Sequence, residues 1–254
     1  MDFYDQIADR YAELTGASDR RGPARLFAEK LIDRFSIRSA VDAACGAGLF
    51  AIELARCGVS VTASDISAEM LRHAQVNAAE AGLAPDSCCW IESPMQDLAA
   101  LVSEPRDAVV CMGNSIPHLL GDDELKRTFE GFAGMLKPGR VVCVHLLNYA
   151  RVLARRERIV GINRRGDRQF VRFYDFRDDL VDFNILEMQW GDDGICRHNL
   201  LTTPLRPYLR DDLADALTGA GFERIECFGD LQFNPFDPQA GDILLMTAIR
   251  GPGR

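Results

Sequence analysis

A short apolar strand that ends in a glycine-rich turn is the feature that most constrains this chain. Residues 41–48 read Val-Asp-Ala-Ala-Cys-Gly-Ala-Gly, and the apolar spacing after them predicts a helix. Gly46 and Gly48 allow a tight turn and let the backbone pass close to a ligand. A second strand ends at Asp65, about 20 residues beyond the turn, where an acid is placed to accept hydrogen bonds from ribose hydroxyls. The segment therefore predicts a β-α-β unit that binds a nucleoside cofactor.

Two cofactors fit such a unit, and Asp42 discriminates between them. A dinucleotide motif requires a third small residue, and Ala51 satisfies that requirement. A carboxylate four residues before Gly46, however, repels a pyrophosphate and attracts an ammonium group, directly or through water. S-adenosylmethionine carries an α-ammonium and a sulfonium but no phosphate. We therefore predict S-adenosylmethionine as the cofactor, and a nicotinamide dinucleotide is the remote alternative.

The pattern Asp-x-x-x-Gly-x-Gly, with an acid at the end of the second strand, resembles the first motif of the class I S-adenosylmethionine-dependent methyltransferases. Asp42, Gly46, Gly48 and Asp65 match it. The resemblance covers residues 38–148 and 205–250. It implies an α/β fold whose seven-stranded, Rossmann-like sheet is doubly wound.

The patterns divide the chain into four predicted segments. Helices in residues 1–36 cover the cofactor, and residues 37–148 form the Rossmann-like core that binds it. Residues 149–204 form an inserted antiparallel sheet after the fifth strand, and residues 205–254 complete the core. Pro23 is predicted to open the second helix of the first segment. The insertion follows a strand at the carboxyl edge, where open α/β sheets bind ligands, so it is expected to shape the acceptor site.

Composition limits the classes of partner. The net charge of −9 weighs against a nucleic-acid partner. No run of about 18 apolar residues occurs, so no membrane partner is expected, and the acidic amino terminus predicts a cytoplasmic protein. The eight cysteines form no Cys-x-x-Cys pair, so we predict buried thiols and neither a metal site nor a disulfide framework. A homo-oligomer remains an open expectation.

The end of the fourth strand carries the first candidates for acceptor chemistry. Residues 113–119 read Gly-Asn-Ser-Ile-Pro-His-Leu, which resembles the glycine N-methyltransferases and their relatives that methylate glycine, sarcosine and dimethylglycine. The resemblance implies that Asn114 lies near the acceptor and that His118 lies near the cofactor's amino-acid end or methyl group. The alternatives are a turn former at Asn114 and a packing histidine at His118. Tyr174 is a further candidate for orienting the acceptor.

The same resemblance implies further cofactor contacts. Arg21 matches the neighbourhood of an arginine for the cofactor carboxylate. Pro94 replaces the acid that usually recognises adenine, so the backbone of Met95 or Gln96 is expected to replace that contact. The remaining predicted cofactor residues are Tyr11, Ala44, Ile66, Met70 and Met112. Ile66 and Met70 are candidate apolar walls for the base, although each could equally be core.

Eight arginines crowd the start of the insertion in an otherwise acidic protein. They are Arg151, Arg155, Arg156, Arg158, Arg164, Arg165, Arg168 and Arg172. We expect one or two of them to bind a carboxylate or phosphate of the acceptor, because the guanidinium fork suits such groups, and the others to be solvated.

These observations predict methyl transfer to a small molecule, and the favoured acceptor is the nitrogen of a carboxylate-bearing amine. The first alternative is O- or S-methylation of a metabolite, with His118 or His145 as the base. The second is a protein that binds S-adenosylmethionine without catalysis.

Overall fold

The structure, a computed structural model, describes residues 3–15, 17–191 and 193–252. It contains a seven-stranded sheet with helices on both faces and a separate four-stranded antiparallel sheet. The predicted fold class is confirmed. The strands in chain order are β1 (Ser39–Ala43), β2 (Ser60–Asp65), β3 (Cys88–Glu92), β4 (Arg106–Cys111), β5 (Leu136–Leu147), β6 (Ile159–Arg165), β7 (Arg168–Phe176), β8 (Val181–Trp190), β9 (Cys196–Leu205), β10 (Phe222–Phe228) and β11 (Ile243–Arg250).

The α-helices alternate with the strands of the larger sheet. They are α1 (Tyr11–Thr15), α2 (Ala17–Phe35), α3 (Leu49–Arg56), α4 (Ala68–Glu80), α5 (Asp122–Gly134), α6 (Tyr149–Arg155) and α7 (Arg210–Gly219). Short 3-10 helices span Ala8–Arg10, Leu98–Ala100 and Ile116–His118. Within the described ranges, no helix is both long and apolar enough to cross a bilayer.

The larger sheet has the order β10-β11-β5-β4-β1-β2-β3. β1 lies between β2 and β4 and is parallel to both, while β11 is antiparallel to β5 and β10. The chain therefore adds β2 and β3 on one side of β1 and the later strands of this sheet on the other side. Loops that leave β1 and β4 diverge there and open a crevice at the carboxyl edge, which is where such sheets bind ligands.

Both faces of this sheet are buried, as expected for parallel strands that are covered by helices on each side. Val109 and Cys111 of β4 pack with α5 and α7 in one apolar cluster. Ala108 and Val110 of the same strand pack with α2 and α3 in another. The two clusters fix the carboxyl ends of the strands, and so the crevice, on a rigid base.

The insertion forms the sheet β6-β7-β8-β9. The predicted antiparallel sheet is confirmed, but the sequence analysis did not identify its first strand, β6, or the helix α6 that precedes it. β6 is an edge strand that pairs with β7 alone, and most of its residues are exposed. It therefore lacks the two-residue alternation by which a half-buried strand is recognised.

Two other expectations need correction. The second helix begins at Ala17 and encloses Pro23, so the polar residues before Pro23 belong to the helix and do not form a break. All eight cysteines carry free thiols, but only Cys88, Cys111 and Cys143 are buried. Cys89 and Cys196 are exposed, so the prediction of buried thiols was wrong for these two.

Candidate cofactor and acceptor site

A cavity of about 830 Å³ occupies the crevice at the carboxyl edge of β1, β2 and β4. Residues of the amino-terminal segment, including Tyr4 and Arg20, form part of its wall. The cavity brings together most of the cofactor positions that the sequence predicts. These are Tyr11, Arg21, Asp42, Ala44, Gly46, Asp65, Ile66, Met70, Met95, Met112 and His118. Gly48, Gln96, Asn114 and Tyr174 do not line it.

The two glycines of the turn have different roles. Gly46 lines the cavity at φ +55°, and a Cβ built on it would meet no protein atom within 4 Å. Gly48 has φ +84°, and a Cβ there would lie 2.9 Å from the Cβ of Ala74 in α4. Gly46 therefore leaves space for a ligand, whereas Gly48 allows the turn to pack against a helix. The expectation that both glycines face a ligand needs correction at Gly48.

Asp65 joins the glycine turn to the start of α4. Its Oδ2 accepts a hydrogen bond from the Gly46 N–H at 2.7 Å, and its Oδ1 accepts one from the Ser67 N–H at 3.0 Å. The Ser67 hydroxyl then caps α4 by accepting from the Met70 N–H at 3.1 Å. Asp65 also lines the cavity, at the position where an acid accepts hydrogen bonds from ribose hydroxyls in such folds.

Asp42 is a buried carboxyl group without a hydrogen-bond partner. Its side chain is 1% exposed, and neither oxygen has a partner among the residues that the structure describes. Burial raises the pKa of Asp42 to about 8, and the nearby charge of Asp65 contributes to the rise. A buried acid that lines a cavity and lacks a protein partner fits a cationic ligand group. The α-ammonium of S-adenosylmethionine is such a group.

The far side of the cavity offers apolar walls for a base. Met70 is 1% exposed and packs with Tyr11, Ala47 and residues of the inserted sheet. Ile66 and Met95 also line the cavity, and the side chain of Ile66 is exposed. Flat apolar surfaces of this kind suit a purine ring. Gln96 lies outside the cavity, so of the two loop residues that the sequence proposed, Met95 is the better candidate.

Comparisons with known proteins agree with this geometry. A family described as methyltransferase domain matches residues 40–139. A glycine/sarcosine N-methyltransferase of Aphanothece halophytica is 25% identical over 242 residues, which are 91% of this chain and 83% of the relative. A ubiquinone biosynthesis O-methyltransferase of Klebsiella pneumoniae is 29% identical over 150 residues, 57% of this chain and 59% of the relative.

A solved structure shows the same fold over nearly the whole length. The CcbJ methyltransferase of Streptomyces caelestis superposes with a TM-score of 0.82 at 22% identity, covering 98% of each chain. The chain is an S-adenosylmethionine-dependent methyltransferase. S-adenosylmethionine is its cofactor, and the orphaned carboxyl of Asp42 and the open space beside Gly46 fit that molecule.

The amino-terminal segment of the methyltransferase closes over the cavity. A hydrogen bond of 2.8 Å joins the Tyr4 hydroxyl to Nε2 of His118, and the two rings pack edge to face. Tyr4 also packs against Tyr11. The sequence analysis did not select Tyr4, although its spacing of seven residues from Tyr11 places the two rings on one side of a helical segment. Asp5 fixes this segment to α4 by accepting a hydrogen bond from the Ser67 hydroxyl at 2.5 Å.

Asn114 of the methyltransferase lies beside the cavity and supports its wall. Its backbone has φ +72°, a conformation that asparagine tolerates better than most residues. Its amide donates to the Tyr149 hydroxyl at 3.1 Å and accepts from the Leu147 N–H at 3.0 Å. The side chain therefore fixes the end of β4 to the end of β5. Asn114 does not line the cavity itself, and its expected place near the acceptor stays a prediction.

Replacing Asn114 by alanine is expected to lower the free energy of unfolding by about 2 kcal/mol. The change leaves the Leu147 N–H and the Tyr149 hydroxyl without their partner, and alanine tolerates a positive φ less well than asparagine does. Urea denaturation measures the loss. Asn114→Gly is the matched control, because it removes the same bonds but accepts the backbone conformation, so it is expected to lose less. Equal stability of Asn114→Ala and the wild type would contradict this role.

The other histidine and tyrosine that the sequence selected are also held by the scaffold. Nδ1 of His145 accepts a hydrogen bond from the Gly113 N–H at 3.2 Å, and burial lowers the pKa of His145 to about 4. Tyr174 is 3% exposed and packs against Phe176 and Phe183. Burial raises its pKa to about 12. Tyr174 does not line the cavity, and its predicted role in orienting the acceptor stays a prediction.

Proposed function

We propose that this methyltransferase methylates the nitrogen of a small amine that bears an anionic group. The observation that carries the proposal is the small number of histidines and tyrosines on the cavity wall. Of the described residues of these two types, His118, Tyr4 and Tyr11 line the cavity, and His145 and Tyr174 do not. Burial raises the pKa of Tyr11, so its phenol is un-ionised at neutral pH. An amine loses its proton to water and needs no strong base, whereas a phenol acceptor gains from one.

When bound, S-adenosylmethionine supplies an electrophilic methyl group on its sulfonium. The task of the protein is to bind, orient and exclude water. Asp42 is placed to accept hydrogen bonds from the ammonium, and Asp65 to accept them from the ribose. Tyr4 and His118 close the cavity from the amino-terminal side. The long similarity to a glycine/sarcosine N-methyltransferase supports an amine as the acceptor.

O-methylation is the second candidate, and one contact favours it. His118 lines the cavity and shares a hydrogen bond with Tyr4, so it is a group that can accept a proton there. The similarity to an O-methyltransferase over about half of the chain is consistent with this alternative.

A screen that measures S-adenosylhomocysteine release from amines, amino acids, phenols and thiols tests the proposal. We expect turnover with carboxylate-bearing amines and little with phenols or thiols. His118→Gln is expected to lower kcat on the amine less than about tenfold, because no strong base is required, whereas loss of a general base costs about 100-fold or more. Tyr4→Phe is the matched control, since it breaks the same hydrogen bond and leaves the histidine in place. Turnover confined to phenols, with a loss above 100-fold in His118→Gln alone, would overturn the amine proposal.

A further inference from the structure

The inserted sheet has one face that packs against the rest of the protein and one that points away from it. Successive side chains of a strand alternate between the two faces. Phe170 and Tyr174 of β7 are buried and share apolar clusters with residues of the amino-terminal segment and of α6. Val171 and Phe173 alternate with them along β7 and therefore point to the opposite side. We call this side the outer face of the inserted sheet.

An aliphatic row crosses the whole outer face. Ile162 of β6 lies opposite Val171 of β7. Leu186 of β8 lies opposite Val171 on one side and opposite Leu200 of β9 on the other. Side chains that lie directly opposite each other on one face of a sheet are close enough to touch. The two ends of the row are the most open, with Ile162 60% and Leu200 52% exposed.

Further apolar side chains widen the aliphatic row along the strands. On one side of the row, Ile159 is 55% exposed and lies opposite Phe173. On the other side, Met188 and Trp190 follow Leu186 on the same face of β8. Single exposed apolar residues are common on proteins, but a contiguous patch indicates a binding surface. Aromatic residues and methionine are enriched in such surfaces.

The charges of the outer face allow a second acidic molecule to approach it. The net charge of the chain is −9, so two copies repel each other over most of their surface. The insertion, residues 149–204, holds ten arginines and nine acidic residues and is therefore nearly neutral. On the outer face, Asp175 pairs with Arg158 and Asp182 pairs with Arg177. Two copies therefore meet the least repulsion when they associate through the insertion.

The outer face is large enough for a stable dimer. Its strands are 7, 9, 10 and 10 residues long. With strands about 4.8 Å apart and about 3.3 Å per residue, the sheet has a footprint of about 600 Å². Two copies that pack face to face would bury about 1,200 Å², which reaches the range of specific interfaces.

Association through the edges of the sheet fits less well. The pairing of β6 with β7 shifts register between Ile159 and Gly161, and β6 ends in Arg164 and Arg165. Irregular pairing and charged side chains oppose the addition of a strand to an edge. The other edge strand, β9, contains Pro204, which has no N–H to donate. The face, and not an edge, is therefore the favoured contact.

We infer that the outer face of the inserted sheet binds the same face of a second copy of this chain. A two-fold axis would place the aliphatic row of one copy on that of the other, because the same patch meets itself in such a dimer. The contact would bury the row and leave the cavity side of the sheet unchanged. It gives the open expectation of a homo-oligomer a specific surface, and it does not depend on the identity of the acceptor.

Sedimentation equilibrium tests the inference by measuring the Kd of the dimer. We expect the wild type to be a dimer at micromolar concentration. The double variant Ile162→Glu/Leu200→Glu places like charges at both ends of the row, where the contact would exclude water. It is expected to raise the Kd on the order of 1,000-fold or more. A wild type that stays monomeric would overturn the inference, as would a dimer that the double variant leaves intact.

Val76→Glu/Leu101→Glu is the matched control. Both side chains are exposed aliphatics outside the insertion, at 46% and 53%, so this variant adds the same two charges elsewhere. It is expected to remain a dimer, and equal dissociation of the two double variants would overturn the inference. Equal thermal stabilisation by S-adenosylhomocysteine shows that each variant is folded. If Ile162→Glu/Leu200→Glu fails this check, Leu200→Glu alone decides, with an expected rise in Kd on the order of 10-fold or more.

Opposite charges at the same two positions give a gain of association as a second readout. Ile162→Lys/Leu200→Lys should be monomeric by itself, because its own charges repel each other across the contact. An equimolar mixture with Ile162→Glu/Leu200→Glu should form a mixed dimer, since unlike charges then meet. Two folded monomers that do not associate on mixing would overturn the inference.

Discussion

Replacing Asp42 by asparagine is expected to weaken binding of S-adenosylmethionine by about 100-fold, or about 3 kcal/mol. The carboxyl group is buried beside the cavity with neither oxygen satisfied among the described residues, so a cationic ligand group is the partner that its position requires. Asparagine has nearly the same shape but no charge. A loss of affinity without a loss of folding would therefore identify the charge as the recognised feature.

The same substitution is expected to change how the stability of the cofactor-free protein depends on pH. Asp42 has a folded-state pKa of about 8, far above its value of about 4 in the unfolded chain. Its contribution to stability is therefore fully present below about pH 4 and is lost as the pH rises towards 8. From pH 5 to pH 8, the free energy of unfolding of the wild type is expected to fall on the order of 3 kcal/mol more than that of Asp42→Asn. Urea denaturation at both pH values measures this difference, and parallel pH profiles would contradict it.

Alanine substitutions at the two glycines of the turn are expected to affect different properties, mainly cofactor affinity at Gly46 and mainly stability at Gly48. Gly46→Ala should fold, with a stability loss of about 1 kcal/mol because alanine disfavours the positive φ. It should raise the Kd for S-adenosylmethionine on the order of 100-fold, because the new methyl group enters the space beside the cavity. Gly48→Ala should lose about 3 kcal/mol of stability, because its Cβ would also collide with Ala74 of α4.

Each glycine variant is the control for the other, since both add the same methyl group at a positive φ within one turn. Urea denaturation gives the stability difference, and calorimetric titration gives the affinity of whichever variant folds. The assignment of roles would be wrong if Gly46→Ala bound the cofactor within threefold of the wild type, or if the two variants were equally stable.

Much of the cofactor-binding half could be predicted because its signals are local. The β-α-β unit follows from alternating apolar residues around a glycine turn. Asp42 and Asp65 stand at the ends of parallel strands, whose carboxyl ends meet at one edge of the sheet, so residue type and position predicted their proximity.

What could not be predicted depends on contacts between distant segments. The role of Gly48 is set by Ala74 in the next helix. The contacts of Asn114 with Leu147 and Tyr149 could not be predicted either, because these partners belong to a later segment. The eight arginines of the insertion could not be distinguished by sequence, because the fold decides which of them meet a carboxylate, as Arg158 meets Asp175.

The claim that Asp42 is the ionised partner of the cofactor's ammonium is tested most directly by calorimetry. S-adenosylhomocysteine, which keeps the ammonium but lacks the sulfonium, is titrated into the wild type and Asp42→Asn at pH 7 in buffers of different ionisation enthalpy. A carboxyl with a pKa of about 8 is mostly protonated at that pH and must ionise to pair with the ammonium, so the wild type should release close to one proton on binding. Asp42→Asn should release none and bind about 100-fold more weakly. Equal affinity and equal proton release in the two proteins would contradict this account of the site.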